Sequence, residues 1–427
     1  MLAARLSWKQ ATFQRSSLQA NSLYLIAASA VAAAFGFFFW TAAARLYTPQ
    51  EVGLAAGAVS AIGLLAMLSV LGLDFAMIRF LPHAADPPEI INSALTIATI
   101  TAFALCLAFA GGLGVWSPAL LPLRQSPLAV TSLVIAVVFT ALMAILQSVY
   151  LSRKQAKFTF AQSVVFSATK VLLAVIFGGF FHAMGLIGAW TLGLVIAVAC
   201  GVGLFLPWLE DGHYKLRFMV RREAVNDMTH FAFANYVAMG LWSAPTFLLP
   251  LLVVNKVGLT ANAYFYVASS VSGLLAMVPM AVSLSLFAHG SHDKGQLFEH
   301  TLQSGRLAAL LLIPAIGAIF LFGGKVLLLF GKPYSEQATR LLWVLALSTL
   351  PMTANSLFFS VSRVLQRMGR VIAWTSWILG VTLVLSFLLL PRMGVLGCGV
   401  AWLSAHTSAA TFILIRYARS RTVMRAN

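Results

Sequence analysis

Apolar runs of twenty or more residues recur along almost the whole chain, and their spacing limits the fold more than any motif does. They fall at approximately 21–45, 53–81, 90–116, 128–151, 158–181 and 184–208, then at approximately 229–254, 260–288, 303–330, 338–362, 370–390 and 394–416. A helix needs about 20 apolar residues to cross the hydrocarbon core of a bilayer, so each run is long enough to span it. An open strand cannot satisfy its backbone in lipid, and no alternating barrel pattern is present, so the spans are helices. The chain reads as an all-α integral membrane protein of about twelve transmembrane helices. Composition agrees: 60% of the 427 residues are hydrophobic and 9% are charged, against roughly a quarter charged in a soluble domain. The first run exceeds a signal-peptide core and is followed by further spans, which marks it as a retained helix.

A formal net charge of +17 raises the question of nucleic acid. The cations fall instead in short loops between apolar runs, where membrane topology puts them. With the N-terminus in the cytoplasm, one set of alternate loops holds Arg5, Lys9, Arg15, Arg153, Lys154, Lys157, Lys215, Arg217, Arg221, Arg222 and the C-terminal arginines Arg416, Arg419, Arg421 and Arg425. About 20 cations lie on that side and about seven on the other, so both termini are expected in the cytoplasm. Anionic membrane lipids, and no nucleic acid, are the expected partners of that surface. Residues 1–20 set Leu2, Leu6 and Phe13 against Arg5, Lys9 and Arg15, the pattern of a short amphipathic helix on the membrane surface.

The string GLLAM occurs at Gly63–Met67 and again at Gly273–Met277, an offset of 210 residues that also carries the first span onto the seventh. Six spans per repeat is an even number, so two such halves share an orientation and relate by an axis along the membrane normal. The expected organisation is an N-terminal six-helix bundle with its linker at 21–227, a C-terminal six-helix bundle at 228–417, and a basic tail at 418–427. The longest polar linker, Leu209 to Asp227, lies where the halves join.

Signatures of soluble enzymes are missing. Gly331-Lys332 lacks both the upstream glycine and the following Ser or Thr of a phosphate loop, and neither HExxH nor CxxC occurs. The three cysteines sit singly in different spans, and the eight histidines have no ligand spacing, so no metal or cofactor is expected. All eleven acidic residues lie in loops or at span ends, which leaves no embedded carboxylate for a proton relay.

Two polar stripes break the apolar pattern. Thr159, Ser163, Ser167 and Lys170 are spaced by 4, 4 and 3, one face of a helix, and Lys170 is the one charge placed deep in a span. A buried ammonium is costly in hydrocarbon, so it should face a watery cavity or an anion; the alternative is a lysine that snorkels or bridges backbone carbonyls. The second stripe is Thr349, Thr353, Ser356, Ser360 and Arg363, with Asn355 and Pro351 beside it. Such stripes also join helices to one another, so cavity wall and helix contact both stay open. Asn235, Tyr236, Tyr264 and Tyr266 are further lining candidates. Arg45 and Lys256, at the outer ends of the first and seventh spans, read as an anion exit path or as snorkelling caps.

The run from Ala20 through Pro82 carries Ala44-Arg45 before Pro49-Gln50-Glu51-Val52-Gly53, then Gly72-Leu73-Asp74 leading to Arg79-Phe80, and Ala263-Tyr264-Phe265-Tyr266 runs on to Val278-Pro279. In these pieces and in its span layout the chain resembles the polysaccharide-export and oligosaccharide (O-antigen-type) flippase branch of the multidrug/oligosaccharidyl-lipid/polysaccharide exporter superfamily. The resemblance implies two six-helix bundles around a central cavity, alternating access, and an oligosaccharide on a polyprenyl phosphate or diphosphate as cargo, moved across a bacterial inner membrane. On that reading Lys170 contacts the phosphate, and Ser163, Ser167, Asn235, Thr353, Asn355, Ser356, Arg363 and Arg45 bind substrate. Asp74, Arg79 and Lys256 are gate candidates, and other polysaccharide-assembly proteins are possible partners. Two other readings remain. A multidrug/cation antiporter of the same superfamily needs an embedded acidic site. A membrane polysaccharide polymerase or glycan ligase needs a large outer loop with catalytic groups, and the outer segments Trp116–Pro127 and Gly331–Thr339 are short.

Overall fold

The computed structural model describes residues 2–178, 180–210, 214–292 and 295–426; the side chains of 2–19, 222–235, 291–292, 414 and 416–426 are outside the described set. The helices are α1 (Leu2–Leu46), α2 (Pro49–Val70), α3 (Leu73–Phe80), α4 (Pro87–Gly111), the short α5 (Leu113–Trp116) and α6 (Leu121–Arg124), α7 (Pro127–Ser152) and α8 (Ala156–Ile176). They continue with α9 (His182–Cys200), α10 (Leu206–Leu209), α11 (Arg222–Lys256), α12 (Leu259–His292), α13 (Leu297–Leu328), α14 (Lys332–Val364), α15 (Met368–Met393) and α16 (Leu396–Ala426). No strand occurs among the described residues, and eleven helical segments there are long and apolar enough to cross a membrane. The last expected span corresponds to α16, which runs into residues whose side chains are outside the described set.

Helix starts follow their capping residues. Asp86 accepts the Glu89 N–H at 3.1 Å with Pro87 at the first helical position of α4, and Ser126 does the same for Ala129 ahead of Pro127 at the start of α7. At α2, Thr48 and Glu51 form a reciprocal capping box: the Thr48 N–H donates to Glu51 Oε2 at 2.8 Å, and the Glu51 N–H donates to Thr48 Oγ1 at 3.3 Å.

The chain divides into two compact units, one of Met1–Leu46 with Ala61–Tyr236 and one of Tyr47–Ser60 with Val237–Asn427. The first turns of α2 therefore belong with the later helices, a grouping that the apolar runs do not show. Gly53 is the reason. A Cβ there would lie 1.7 Å from the Leu259 carbonyl oxygen, and Asn262 donates to the Gly53 carbonyl at 2.8 Å, so the start of α2 meets the start of α12 backbone to backbone.

In the first unit, α8 packs between α1 and α9, and α7 packs against α4 and α9. Its core gathers Ile62, Leu65, Met77, Ala98, Val137, Leu146, Tyr150 and Leu194, all buried. In the second unit α14 is central, packing against α12, α13 and α16.

Two local expectations need correction. The apolar run at 53–81 is not one helix: Leu71 (φ 52°) and Gly72 (φ 79°) take left-handed backbone and separate α2 from α3. Residues 1–20 are not set off as a separate element, because α1 continues through them without a break. Within the linker, residues 215–221 lie against the start of α4.

Candidate functional site

Chemistry concentrates in two places, one within each unit. In the first, the α8 stripe forms a single inward face: Thr159, Gln162, Ser163, Ser167 and Lys170 are all buried. Lys170 is 4% exposed, and its Nζ lies 4.3 Å from the Trp190 ring centroid, 4.5 Å from Phe166 and 5.6 Å from Phe39. Those rings come from α9, α8 and α1, and they pack edge to face, with Trp190 5.4 Å from Phe166 and 5.5 Å from Phe39. Rings present their negative faces to a cation, so this cage supplies part of what water or an anion would supply. No carboxylate lies within ion-pair reach of Lys170 among the described residues. The sequence predicts a watery or anionic surround for this lysine; the structure surrounds it with aromatics.

Gln162, which the spacing argument overlooks, donates to the Ala197 carbonyl at 3.1 Å and ties α8 to α9. The Ser167 hydroxyl, the Thr159 hydroxyl and Gln162 Oε1 are buried without a hydrogen-bond partner, leaving polar capacity beside the caged ammonium.

In the second unit, α11, α12, α14 and α16 enclose a cavity of about 330 Å³. Its lining includes the hydroxyl residues Thr246, Ser269, Ser270, Ser272, Ser348 and Thr349, with Tyr266 and the rings of Trp242, Phe265 and Trp402. No lining residue is charged. Pro245 and Pro250 lie inside α11 and stand in the cavity wall, and a proline withholds the N–H that would bond the carbonyl four residues earlier, one of them that of Thr246. Gly273 adds no side chain, and a Cβ there would touch nothing within 4 Å.

Of the second stripe, Thr349 lines this cavity, while Thr353, Ser356 and Ser360 are buried outside its lining. Thr353 is buried and donates to its own helix at the Thr349 carbonyl, at 2.7 Å. Ser283 on α12 donates to the Ser356 carbonyl at 2.9 Å and lies 2.6 Å from the Ser360 hydroxyl. Asn355 is fully buried and bridges α14 to α16, donating to His406 Nδ1 at 3.1 Å and to the His406 carbonyl at 2.9 Å. His406 has no sequence signal as a site residue, yet it is fully buried, its Nε2 has no partner, and its ring lies 4.4 Å from Trp402 at the cavity wall.

The remaining candidates are dispersed. Arg363 is exposed one residue before the end of α14, and Arg45 is exposed in the last turn of α1. Lys256 is exposed with its Nζ 3.8 Å from the Phe387 ring centroid. Asp74 opens α3 with its Oδ1 buried and unpartnered, and Arg79 is exposed at that helix's end, 5.7 Å from the Phe80 ring. The Tyr236 hydroxyl donates to the Leu68 carbonyl at 3.1 Å. The side chain of Asn235 lies outside the described residues.

Comparisons with known proteins follow this geometry closely in fold and loosely in sequence. The solved structure of the lipid II flippase MurJ in an inward closed conformation superposes with a TM-score of 0.75 at 11% identity, covering 93% of this chain and 87% of that one. An inward-facing multidrug resistance MATE family transporter of the MOP superfamily gives 0.65 at 17% identity, covering 94% of each chain. A MOP superfamily transporter from Pyrococcus furiosus gives 0.51 at 17%, covering 95% of this chain and 92% of its own. A search of curated proteins found no match. A family model described as "Polysaccharide biosynthesis protein" matches residues 42–339, well over half of the chain. This multi-pass, all-helical membrane protein, built on the fold of MOP superfamily transporters, belongs to that polysaccharide biosynthesis family.

Proposed function

We propose that this protein is a transporter, not an enzyme, that flips polyprenyl-(di)phosphate-linked oligosaccharide across the bacterial inner membrane for surface polysaccharide biosynthesis, with both termini in the cytoplasm. The observation that carries this reading is the cavity of the second unit. Hydroxyls and aromatic rings without a formal charge suit a neutral glycan, because sugar hydroxyls exchange hydrogen bonds with Ser and Thr while the C–H faces of the ring lie on Trp and Tyr. Membership of a polysaccharide biosynthesis family and a fold shared with a lipid II flippase support the same cargo class.

A multidrug/cation antiporter would need a negative site inside the bundle. Among the described residues, the carboxylates on spanning helices stand only in their first two turns, as with Glu51, Glu89, Glu299 and Glu336. Beyond those turns a cationic substrate would find no counter-charge on the described spanning helices; Asp74, with a buried carboxylate oxygen, opens the short α3 instead. Lys170 enters the proposal as the group that meets the cargo phosphate. It would do so by exchanging ring faces for phosphate oxygens.

The test is translocation itself. Purified protein in liposomes, given a fluorescent undecaprenyl-diphosphate oligosaccharide, should speed the label's movement between leaflets, read by an impermeant quencher. Efflux of a cationic dye with no movement of several lipid-linked glycans would sink the reading in favour of drug export.

A further inference from the structure

Residues 214–221, ahead of α11, are held in an unusual way. They form no helix and lie along the polar start of α4. Asn92 Nδ2 donates to the Lys215 carbonyl at 2.9 Å, while Asn92 Oδ1 accepts from the Tyr214 hydroxyl at 2.8 Å and the Arg217 N–H at 3.2 Å. Farther along, the Met219 N–H donates to Thr96 at 3.2 Å, the Arg221 N–H donates to Ser93 at 3.1 Å, and the Arg221 guanidinium pairs with Glu89. Tyr214 is buried, and burial together with the nearby Glu210 carboxylate pushes its phenol above the ordinary range, so it stays a donor. The strap is thus pinned at both ends and in the middle.

Its other side is open. Leu216 is 63% exposed, Phe218 77% and Val220 47%, and alternation along an extended segment puts these three on one side. Lys215 and Arg217 are exposed and have no carboxylate within ion-pair reach among the described residues. Just before the strap, Trp208 is 59% exposed under the Lys157 ammonium, 4.1 Å from its ring. Apolar side chains, an outward tryptophan and unpaired cations at the end of a span form the composition of a headgroup-level surface.

We propose that this strap is a preformed anchor for an anionic bilayer surface: Leu216, Phe218 and Val220 enter the headgroup–acyl boundary while Lys215 and Arg217 bind lipid phosphates. Because α4 fixes the backbone, the strap meets the bilayer already ordered, unlike a loose polybasic tail, so little ordering entropy opposes binding. The composition favours lipid over a protein partner, since exposed cations and exposed apolar side chains alternate along a segment that starts a few residues past the end of a span. The proposal does not depend on the cargo.

The test uses the full chain in vesicles of phosphatidylcholine, alone or mixed with phosphatidylglycerol. Nitroxides are placed singly at Leu216→Cys, Arg217→Cys and Phe218→Cys, with Cys106, Cys200 and Cys398 changed to alanine. At 216 and 218 the label should respond to oxygen rather than to an aqueous nickel chelate, and at 217 the preference should reverse. Equal response to the chelate at all three positions overturns the proposal, as does shielding from both agents, which would mean burial against protein. In the K215Q/R217Q double variant, association of spin-labelled phosphatidylglycerol should weaken about thirtyfold, with phosphatidylcholine unchanged. An unchanged phosphatidylglycerol association overturns the electrostatic half.

Discussion

On α8, Thr159, Ser163 and Ser167 lead to Lys170; on α14, Thr349, Thr353, Ser356 and Ser360 lead to Arg363. Both are hydroxyl stripes at helical spacing that end in a cation, and the two helices treat that cation in opposite ways. Lys170 stands six residues before the end of α8, too deep for its stem to reach water, and it is enclosed by three rings. Arg363 is one residue from the end of α14 and lies exposed. The hydroxyls differ too. On α14 most are consumed by bonds within the helix or to α12, while on α8 two of the three remain without a partner. A stripe therefore reports a helix face, and the depth of its final charge, with the neighbours it meets, decides whether that face has unused chemical capacity.

The largest effect that can break this comparison is at Lys170. Lys170→Ala should lower flipping at least tenfold, in keeping with loss of a charge-assisted contact. Lys170→Met should restore thermal stability by filling the cage without restoring transport. Flipping at wild-type rate in Lys170→Met would reduce the α8 stripe to packing, like most of the α14 one. Next in size, Trp190→Ala opens the cage and should cost about 3 kcal/mol in equilibrium unfolding in mixed micelles; a loss below about 1 kcal/mol would mean that the rings contribute little to the fold.

Smaller effects sharpen the contrast on the α14 side. Trp402→Ala should weaken binding of a soluble neutral oligosaccharide about tenfold in titration calorimetry, as loss of one aromatic platform would. Ser360→Ala should cost about 1 kcal/mol of stability through its bonds with Ser283 and leave sugar binding intact. Arg363→Ala should change the flipping rate by less than about twofold, consistent with the modest worth of an exposed charge. A large loss there would restore equal standing to the two stripes.

The spans, the membrane solvent and the two stripes were legible because each rests on local spacing. The start of α2 was not read: the apolar run begins near 53, while the helix starts at Pro49 behind the capping box of Thr48 and Glu51. What the sequence did not yield depends on which helices meet. Nothing near Lys170 announces Phe39 or Trp190, and nothing near Asn355 announces His406. The break at Leu71 was hidden because a leucine in left-handed backbone interrupts a helix without interrupting an apolar run. The cavity of the second unit was hidden for a related reason: its hydroxyls are visible as letters, but the space between them depends on how α11, α12, α14 and α16 meet.

Between α9 and α10 the backbone runs as a π-helix from Gly201 to Phe205. Gly201 sits where a Cβ would come within 2.8 Å of both the Tyr150 hydroxyl and the Gln162 amide. A π segment is, in effect, one residue inserted into an α-helix and absorbed by a local widening, so the helix on either side keeps its facing. A deletion in the regular part of α9 would instead turn everything downstream by about 100°. Trp208 would swing away from Lys157, and Glu210 would lose the fork of hydrogen bonds from Arg153 at 2.8–3.1 Å. Gly201–Phe205 is the place where this span can give up a residue, and a single-codon deletion there should be better tolerated than one within α9.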